Sequence, residues 1–224
     1  MYVRVTSRCQ MNCSHCAYDC GEKGQDMPLS LFEEVALEHV RAGDQYLCLG
    51  GGEPTLHPDL FAMFEYLEKL ADDLEIGYGL VTNGADREKA LALLDWMDEH
   101  PRFSVRLSQD GYHDEIDSDI VDCYARRCRL NGLSPLGPVK SGRCSWGRDG
   151  CLGGPMIEPD GSITLCGCYP RVVTCKLGEV DLCDIPSDMY GFECSKKLLA
   201  WGLSEQQPPL DLVDWMSGQS FEDL

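Results

Sequence analysis

Cys9-Gln10-Met11-Asn12-Cys13-Ser14-His15-Cys16 places three thiols in one short loop, directly after the β-like run Tyr2 to Thr6. Three thiolates from such a loop can hold three irons of a cubane cluster and leave the fourth iron without a protein ligand. An open iron can chelate a small molecule, which separates this arrangement from electron-carrying clusters with four protein ligands. A zinc knuckle is the competing reading, although zinc usually takes four ligands from paired motifs.

The rest of the composition sets bounds on both readings. The chain has 224 residues, 14 of them cysteine, and a net charge of −19. That length allows one substantial core, or one core with a small addition. An acidic surface repels phosphate backbones, so nucleic acid is a poor default partner. Arg126, Arg127 and Arg129 could line a local basic groove, but a solvated helix face is the better reading. No apolar run is long enough to span a membrane, and the N-terminal residues lack the apolar stretch of a secretory signal. The expectation is a cytoplasmic protein, and in a reducing compartment cysteines favour metal ligation over disulfides.

From Tyr2 to about Asn131 short β-like runs alternate with amphipathic stretches. Strands are expected at Tyr2 to Thr6, Gln45 to Leu49, Glu75 to Val81 and Phe103 to Leu107. Ser30 and Glu33 form a capping-box pattern ahead of Phe32, Val35, Ala36, His39 and Val40 at helical spacing. Leu60, Phe61, Phe64, Leu67 and Leu70 make a second apolar stripe. Further helices are expected over Ala85 to Glu99 and His113 to Leu130. Repeated β-then-α units imply a parallel sheet with right-handed crossovers, here an open or partial barrel.

After Asn131 glycine, proline and cysteine crowd the chain. A hairpin is expected across Met156 to Leu165, turning at Pro159-Asp160-Gly161. The expected division is a barrel core over 1–131, a cysteine-rich extension over 132–203 with a helix at Met189 to Trp201, and an acidic tail over 204–224. Cys48, Cys123 and Cys128 fall in strand or helix patterns and read as buried inert thiols. His39, His57, His100 and His113 make no paired metal spacing.

Three further turns end expected strands: Gly51-Gly52-Glu53-Pro54, Thr82-Asn83-Gly84 and Ser108-Gln109-Asp110-Gly111. Parallel sheets place their ligands at this edge. The cysteine loop and the glycine loop together resemble the CxxxCxxC and GGEP motifs of the radical S-adenosylmethionine (SAM) superfamily. The resemblance implies an α/β fold, a partial radical SAM barrel with a small cysteine-rich cluster-binding extension. It implies a 4Fe-4S cluster on Cys9, Cys13 and Cys16, with SAM on its open iron. His15 occupies the position before the last cysteine, which is usually aromatic in the family. Gly51, Gly52 and Glu53 would hold SAM's amino group, with Asn83, Ser108 and Asp110 as further SAM contacts.

Cys144-x6-Cys151-x14-Cys166, with Leu177-Gly178-Glu179-Val180 downstream, resembles the first half of the SPASM extension. The shortened form, called a twitch domain, carries one auxiliary 4Fe-4S cluster. The resemblance makes Cys144, Cys151 and Cys166 ligands, with Cys183 or Cys194 favoured as the fourth and Cys168 and Cys175 as other choices. Structural zinc is the alternative there.

The activity implied by the resemblance is reductive cleavage of SAM to a 5′-deoxyadenosyl radical that abstracts hydrogen from substrate. A one-electron donor such as flavodoxin or ferredoxin is implied. The substrate expectation leans to a ribosomally made peptide, with a sugar or aminoglycoside-like metabolite oxidised by a radical dehydrogenase as the alternative. Only eight residues precede Cys9, so a peptide would need a recognition surface other than an N-terminal leader-binding domain. An iron–sulfur electron carrier and a zinc-stabilised binding module are the readings outside enzymology.

Overall fold

In the computed structural model, Val3 and Val5 of β1 (Tyr2–Thr6) are fully buried, and so are Arg4 and Thr6. Successive residues of a strand face opposite ways, so β1 is covered on both sides, as parallel strands usually are. The structure describes residues 2–43, 45–74, 76–128, 130–131, 143–144, 156–164 and 173–177.

The order along the described chain is β1, α1 (Leu29–Arg41), β2 (Tyr46–Gly51), α2 (Leu60–Leu74), β3 (Gly77–Thr82), α3 (Arg87–Glu99), β4 (Phe103–Ser108), α4 (Ser118–Arg127) and β5 (Leu130–Asn131). Then come β6 (Met156–Ile157), β7 (Ser162–Thr164) and β8 (Val173–Lys176). They form one sheet in the order β5-β4-β3-β2-β1-β6-β7-β8. The pairs from β5 through β1 to β6 are parallel, while β7 and β8 are antiparallel additions. Strands alternating with helices give the expected partial barrel. Val3, Val5, Leu47, Leu49, Leu80, Val105 and Leu107 pack against Phe32, Val35, Phe64, Leu67, Leu93 and Ile120 of the helices.

Two helix starts differ from expectation for local reasons. Ser30 lies inside α1, and Pro28 stands at its N-cap with no side-chain cap bond, so the capping box does not form. Pro28 already has helix-compatible φ, and its carbonyl accepts from the Phe32 N–H at 3.0 Å, which sets the start earlier. α4 begins at Ser118 and not near His113, because Asp110 Oδ1 accepts from the N–H groups of Tyr112 and His113 at 2.8 and 3.2 Å. That turn holds the chain out of a helix until Asp117 caps α4 by accepting from Asp119 N at 2.9 Å.

The hairpin turns where expected, with Gly161 at φ +81° and Asp160 Oδ1 accepting from Ser162 N at 3.0 Å. Its first strand pairs parallel to β1, Tyr2 with Met156 and Val3 with Ile157. The cysteine-rich region therefore contributes strands to the barrel sheet itself. Cys151, Cys166, Cys168, Cys183 and Cys194, Arg129, the 189–201 helix and the 204–224 tail lie outside the described residues.

The half of β1 nearest the cysteine loop is covered by returning chain instead. Ser7 N donates to Gln25 O at 2.9 Å and Met27 N to Val5 O at 2.8 Å. Asp26 fixes this return by accepting from Thr6 Oγ1 at 2.6 Å and Arg8 Nε at 3.0 Å. Burial works against ionisation of Asp26, but these bonds and the Arg8 charge outweigh it and hold the carboxyl below its ordinary value. A depressed folded value means that this stabilisation is present above about pH 4 and is lost as pH falls through the folded value. The expected result is that wild-type protein and Asp26→Asn differ in urea stability near neutrality and converge on acidification. A difference that stays constant with pH would show that the Asp26 charge contributes nothing.

Among the described residues no helix is long and apolar enough to cross a membrane.

Candidate active site

The loops that leave β1, β2, β3 and β4 meet at one edge of the sheet, and their contacts are specific. Gly52 N donates to Thr6 O at 2.9 Å and Glu53 N to Arg8 O at 2.8 Å, so the glycine loop runs against the chain leading into Cys9. A Cβ on Gly51 would sit 2.1 Å from Thr6 O, and one on Gly52 2.1 Å from Arg8 O. Gly51 also has φ +150°, which side-chain-bearing residues rarely adopt. The two glycines are thus required by close packing of loop on loop.

Glu53 is buried and joins the loops. Its Oε1 accepts from Thr55 N at 3.1 Å, Thr55 Oγ1 at 2.7 Å and Thr82 Oγ1 at 2.7 Å. Its Oε2 accepts from Asn83 N at 2.7 Å. Burial pushes the carboxyl above its ordinary value, against the pull of these bonds. Each carboxylate oxygen offers about two acceptor positions, so Oε1 with three donors is saturated while Oε2 with one keeps a single position. Asn83 then reaches the first cysteine: its Nδ2 lies 3.7 Å from Cys9 Sγ, and its Oδ1 accepts from Gln10 Nε2 at 3.2 Å.

Cys13 is buried, while Cys9 and Cys16 are half-buried. Burial pushes the Cys9 thiol up to about 11. Cys16 is held down to about 5, chiefly by a hydrogen bond from the Cys20 thiol, and Cys20 N also points at Cys16 Sγ from 3.4 Å. Three soft donors from one loop, with the Cys20 and Asn83 N–H groups aimed at the sulfurs of Cys16 and Cys9, fit a cubane cluster that keeps one iron free of protein ligands.

At the end of β4, Asp110 Oδ1 pairs with His113 Nδ1 at 2.8 Å, and Asp110 Oδ2 lies 3.8 Å from His15 Nε2. His15 also meets the rings of Tyr112 and His113 at 5.2 and 4.8 Å between centroids. Burial lowers the tendency of His15 to take a proton, although Asp110 opposes this. A half-shielded aromatic patch with a carboxylate thus stands beside the cysteine loop.

Residues 3–134 match the family described as the radical SAM superfamily. The chain belongs to the radical SAM superfamily. Members of that family use a 4Fe-4S cluster and SAM. Over 121 residues this radical SAM chain is 27% identical to "Mycofactocin maturase MftC" of Mycobacterium tuberculosis, a match covering 52% of this chain and 28% of that protein. The corresponding protein of Mycolicibacterium smegmatis is 26% identical over the same length. The chain therefore spans little more than a quarter of the curated relatives it matches. Among solved structures, BtrN in complex with AdoMet and 2-DOIA superposes with TM-score 0.59 at 14% identity, covering 94% of this chain and 90% of that one. Native anSMEcpe with bound AdoMet and Cp18Cys peptide gives 0.55 at 15%, covering 86% and 80%. At such identities these likenesses establish the fold.

Of the residues singled out from sequence, the radical SAM fold brings Cys9, Gly51, Gly52, Glu53 and Asn83 into one network, and His15 and Asp110 into a second. Ser108 ends β4 and is half-buried, with no contact to either network among those described. Cys144 is buried, next to Arg143. Cys48, Cys123 and Cys128 are half-buried and not fully buried as expected. Cys48 alternates with the core residues Leu47 and Leu49 and so takes the other face of β2. Cys123 lies beside exposed Arg126, and Cys128 stands at the C-cap of α4. Arg127 pairs with Asp95 and Asp98 on α3, which supports the solvated-face reading. His57 is a satisfied core histidine, bonded to Met27 O at 2.8 Å and to Asp59 N at 3.0 Å.

Sequence reasoning missed His113, Cys20, Thr55 and Arg143. His113 failed a search for paired spacing because its partner at position 15 is remote in sequence. Thr82, by contrast, was legible as the first residue of the Thr82-Asn83-Gly84 turn.

Proposed function

We propose that the chain is a radical SAM enzyme in which Cys9, Cys13 and Cys16 hold a 4Fe-4S cluster and the neighbouring loops bind SAM. The supporting observation is the continuous bonding from Glu53 through Asn83 to Cys9, which ties the glycine loop to the cysteine loop. The chemistry supplied to such a site is one-electron cleavage of SAM's carbon–sulfur bond, giving methionine and a 5′-deoxyadenosyl radical that takes hydrogen from substrate. In this reading His15, Tyr112 and His113 shield the adenosine end from water, and Asp110 orients His113. The backbone of Gly51 and Gly52 and the remaining acceptor position on Glu53 Oε2 would hold SAM's amino group. Ser108 and Asp110 would meet its ribose.

The substrate proposal is a ribosomally made peptide, in keeping with a relative named as a maturase. A cavity of about 310 Å³ opens just past Cys16, lined by Arg4, Tyr18, Asp19, Cys20, Lys23 and Glu158 among others. A buried Arg4–Glu158 pair at 2.5 Å supplies both charges to its wall. The twitch-like extension, with an auxiliary cluster on Cys144, Cys151, Cys166 and Cys183 or Cys194, is part of the same proposal. So are a flavodoxin- or ferredoxin-like electron donor and a cytoplasmic setting.

Anaerobic reconstitution and then incubation with SAM and a strong reductant tests the reading. Formation of 5′-deoxyadenosine, with iron and sulfide in equal amounts, is expected. Stoichiometric zinc without 5′-deoxyadenosine would replace it with the structural-metal reading.

A further inference from the structure

Arg143 comes from far along the chain and lies against the cysteine loop with both its main chain and its side chain. Its N–H donates to Cys16 O at 2.9 Å. Its Nη1 donates to Cys13 O at 3.1 Å, its Nη2 donates to Cys20 O, and its Nε faces Asp19 Oδ1 at 3.3 Å. One residue thus meets the loop at Cys13, Cys16, Asp19 and Cys20, including two of the three proposed iron ligands. The planar fork of arginine suits this task, since its donors diverge at fixed angles and lose little freedom for each bond made.

Its placement has an electrostatic side as well. The side chain is only a quarter exposed, so its charge is screened less than a free surface cation's. Asp19, its counter-ion, is about half exposed and offsets that charge from the solvent side. A fixed cation beside a metal centre favours the form that carries more negative charge, and cluster potentials respond to nearby charge and hydrogen bonding. Arg143 is also joined directly to Cys144, which is buried.

We propose that Arg143 is a positioning residue that fixes the cysteine loop for cluster binding and raises the reduction potential of the cluster held there. The proposal rests on the cluster reading of Cys9, Cys13 and Cys16, and the experiment separates the two. Wild type, Arg143→Lys and Arg143→Gln are reconstituted anaerobically and titrated with redox mediators. The loop cluster is tracked through the reduced-state EPR signal that SAM perturbs.

Arg143→Gln is expected to shift the one-electron equilibrium toward the oxidised form about tenfold, equivalent to about 59 mV. Arg143→Lys keeps the charge and is expected to recover most of that shift. Equal potentials in wild type and Arg143→Gln would overturn the proposal, as would an equal loss in Lys and Gln. If Arg143→Gln takes up no cluster, amide hydrogen exchange over residues 13–20 decides. Faster exchange than in wild type supports the clamp, and unchanged exchange overturns it. Failure of wild type itself to load a SAM-responsive cluster would count against the cluster reading, a result distinct from either.

Discussion

Replacing Cys9, Cys13 and Cys16 together with alanine is expected to abolish 5′-deoxyadenosine formation while leaving about half of the iron, because the two cysteine sets are separate in sequence. The loop keeps most of its structure without the thiols. Cys9 N still donates to Gly21 O at 2.7 Å, and Arg143 still holds the carbonyls of Cys13 and Cys20. Loss of the signal would therefore reflect loss of ligands and not of fold. The measurement is iron and sulfide content together with chromatographic detection of the nucleoside. Retention of 5′-deoxyadenosine in the triple variant would end the assignment of these cysteines. Loss of all iron would show that the extension holds no cluster of its own.

Glu53→Ala is expected to lower SAM affinity by about ten- to a hundred-fold, an energy of roughly 1.5–3 kcal/mol. The route is more indirect than the sequence suggests. Removal of the carboxylate leaves Thr55 N, Thr82 Oγ1 and Asn83 N without their acceptor, and each unmet buried donor costs about 1–3 kcal/mol. The Thr82-Asn83-Gly84 turn is freed, and with it the Asn83 contact to Cys9. Glu53→Gln separates the contributions. It keeps the shape and one acceptor but sets its amide group against N–H donors, so an intermediate affinity is expected. Isothermal titration of SAM into reconstituted protein reads both variants. Unchanged affinity with cluster absorbance intact would mean that this hub orders the protein without bearing on SAM.

Much of the fold was legible in the sequence because it is local. The first strand lies at Tyr2–Thr6 as expected, and the hairpin turns at Asp160 and Gly161, since φ and turn chemistry depend on adjacent residues. Helix starts were less so. Ser30 carries a capping pattern, but Pro28 decides, and the side chain of Asp110 delays α4 beyond anything apolar spacing conveys. The motif loops were legible as motifs, but the structure adds a demand the motif does not convey: Gly51 and Gly52 must pack closely against Thr6 and Arg8. Contacts between distant residues were not legible at all. No periodicity brings position 143 to position 16, or position 156 to position 2, because such pairings depend on the order of strands in the whole sheet.

The pairing of β6 with β1 also sets a timetable for a chain made from its N-terminus. β1 leaves the ribosome first and finds β2 soon after, yet its other edge stays open until residues 156–164 have been synthesised. An open edge strand is a template for pairing with other chains, and nascent domains are exposed to this while incomplete. The cysteine loop likewise lacks its grip until position 143 emerges. Any cluster loading on this loop would then follow the emergence of position 143. Slow translation between positions 131 and 156 would prolong the vulnerable interval, and holding chaperones would matter most there.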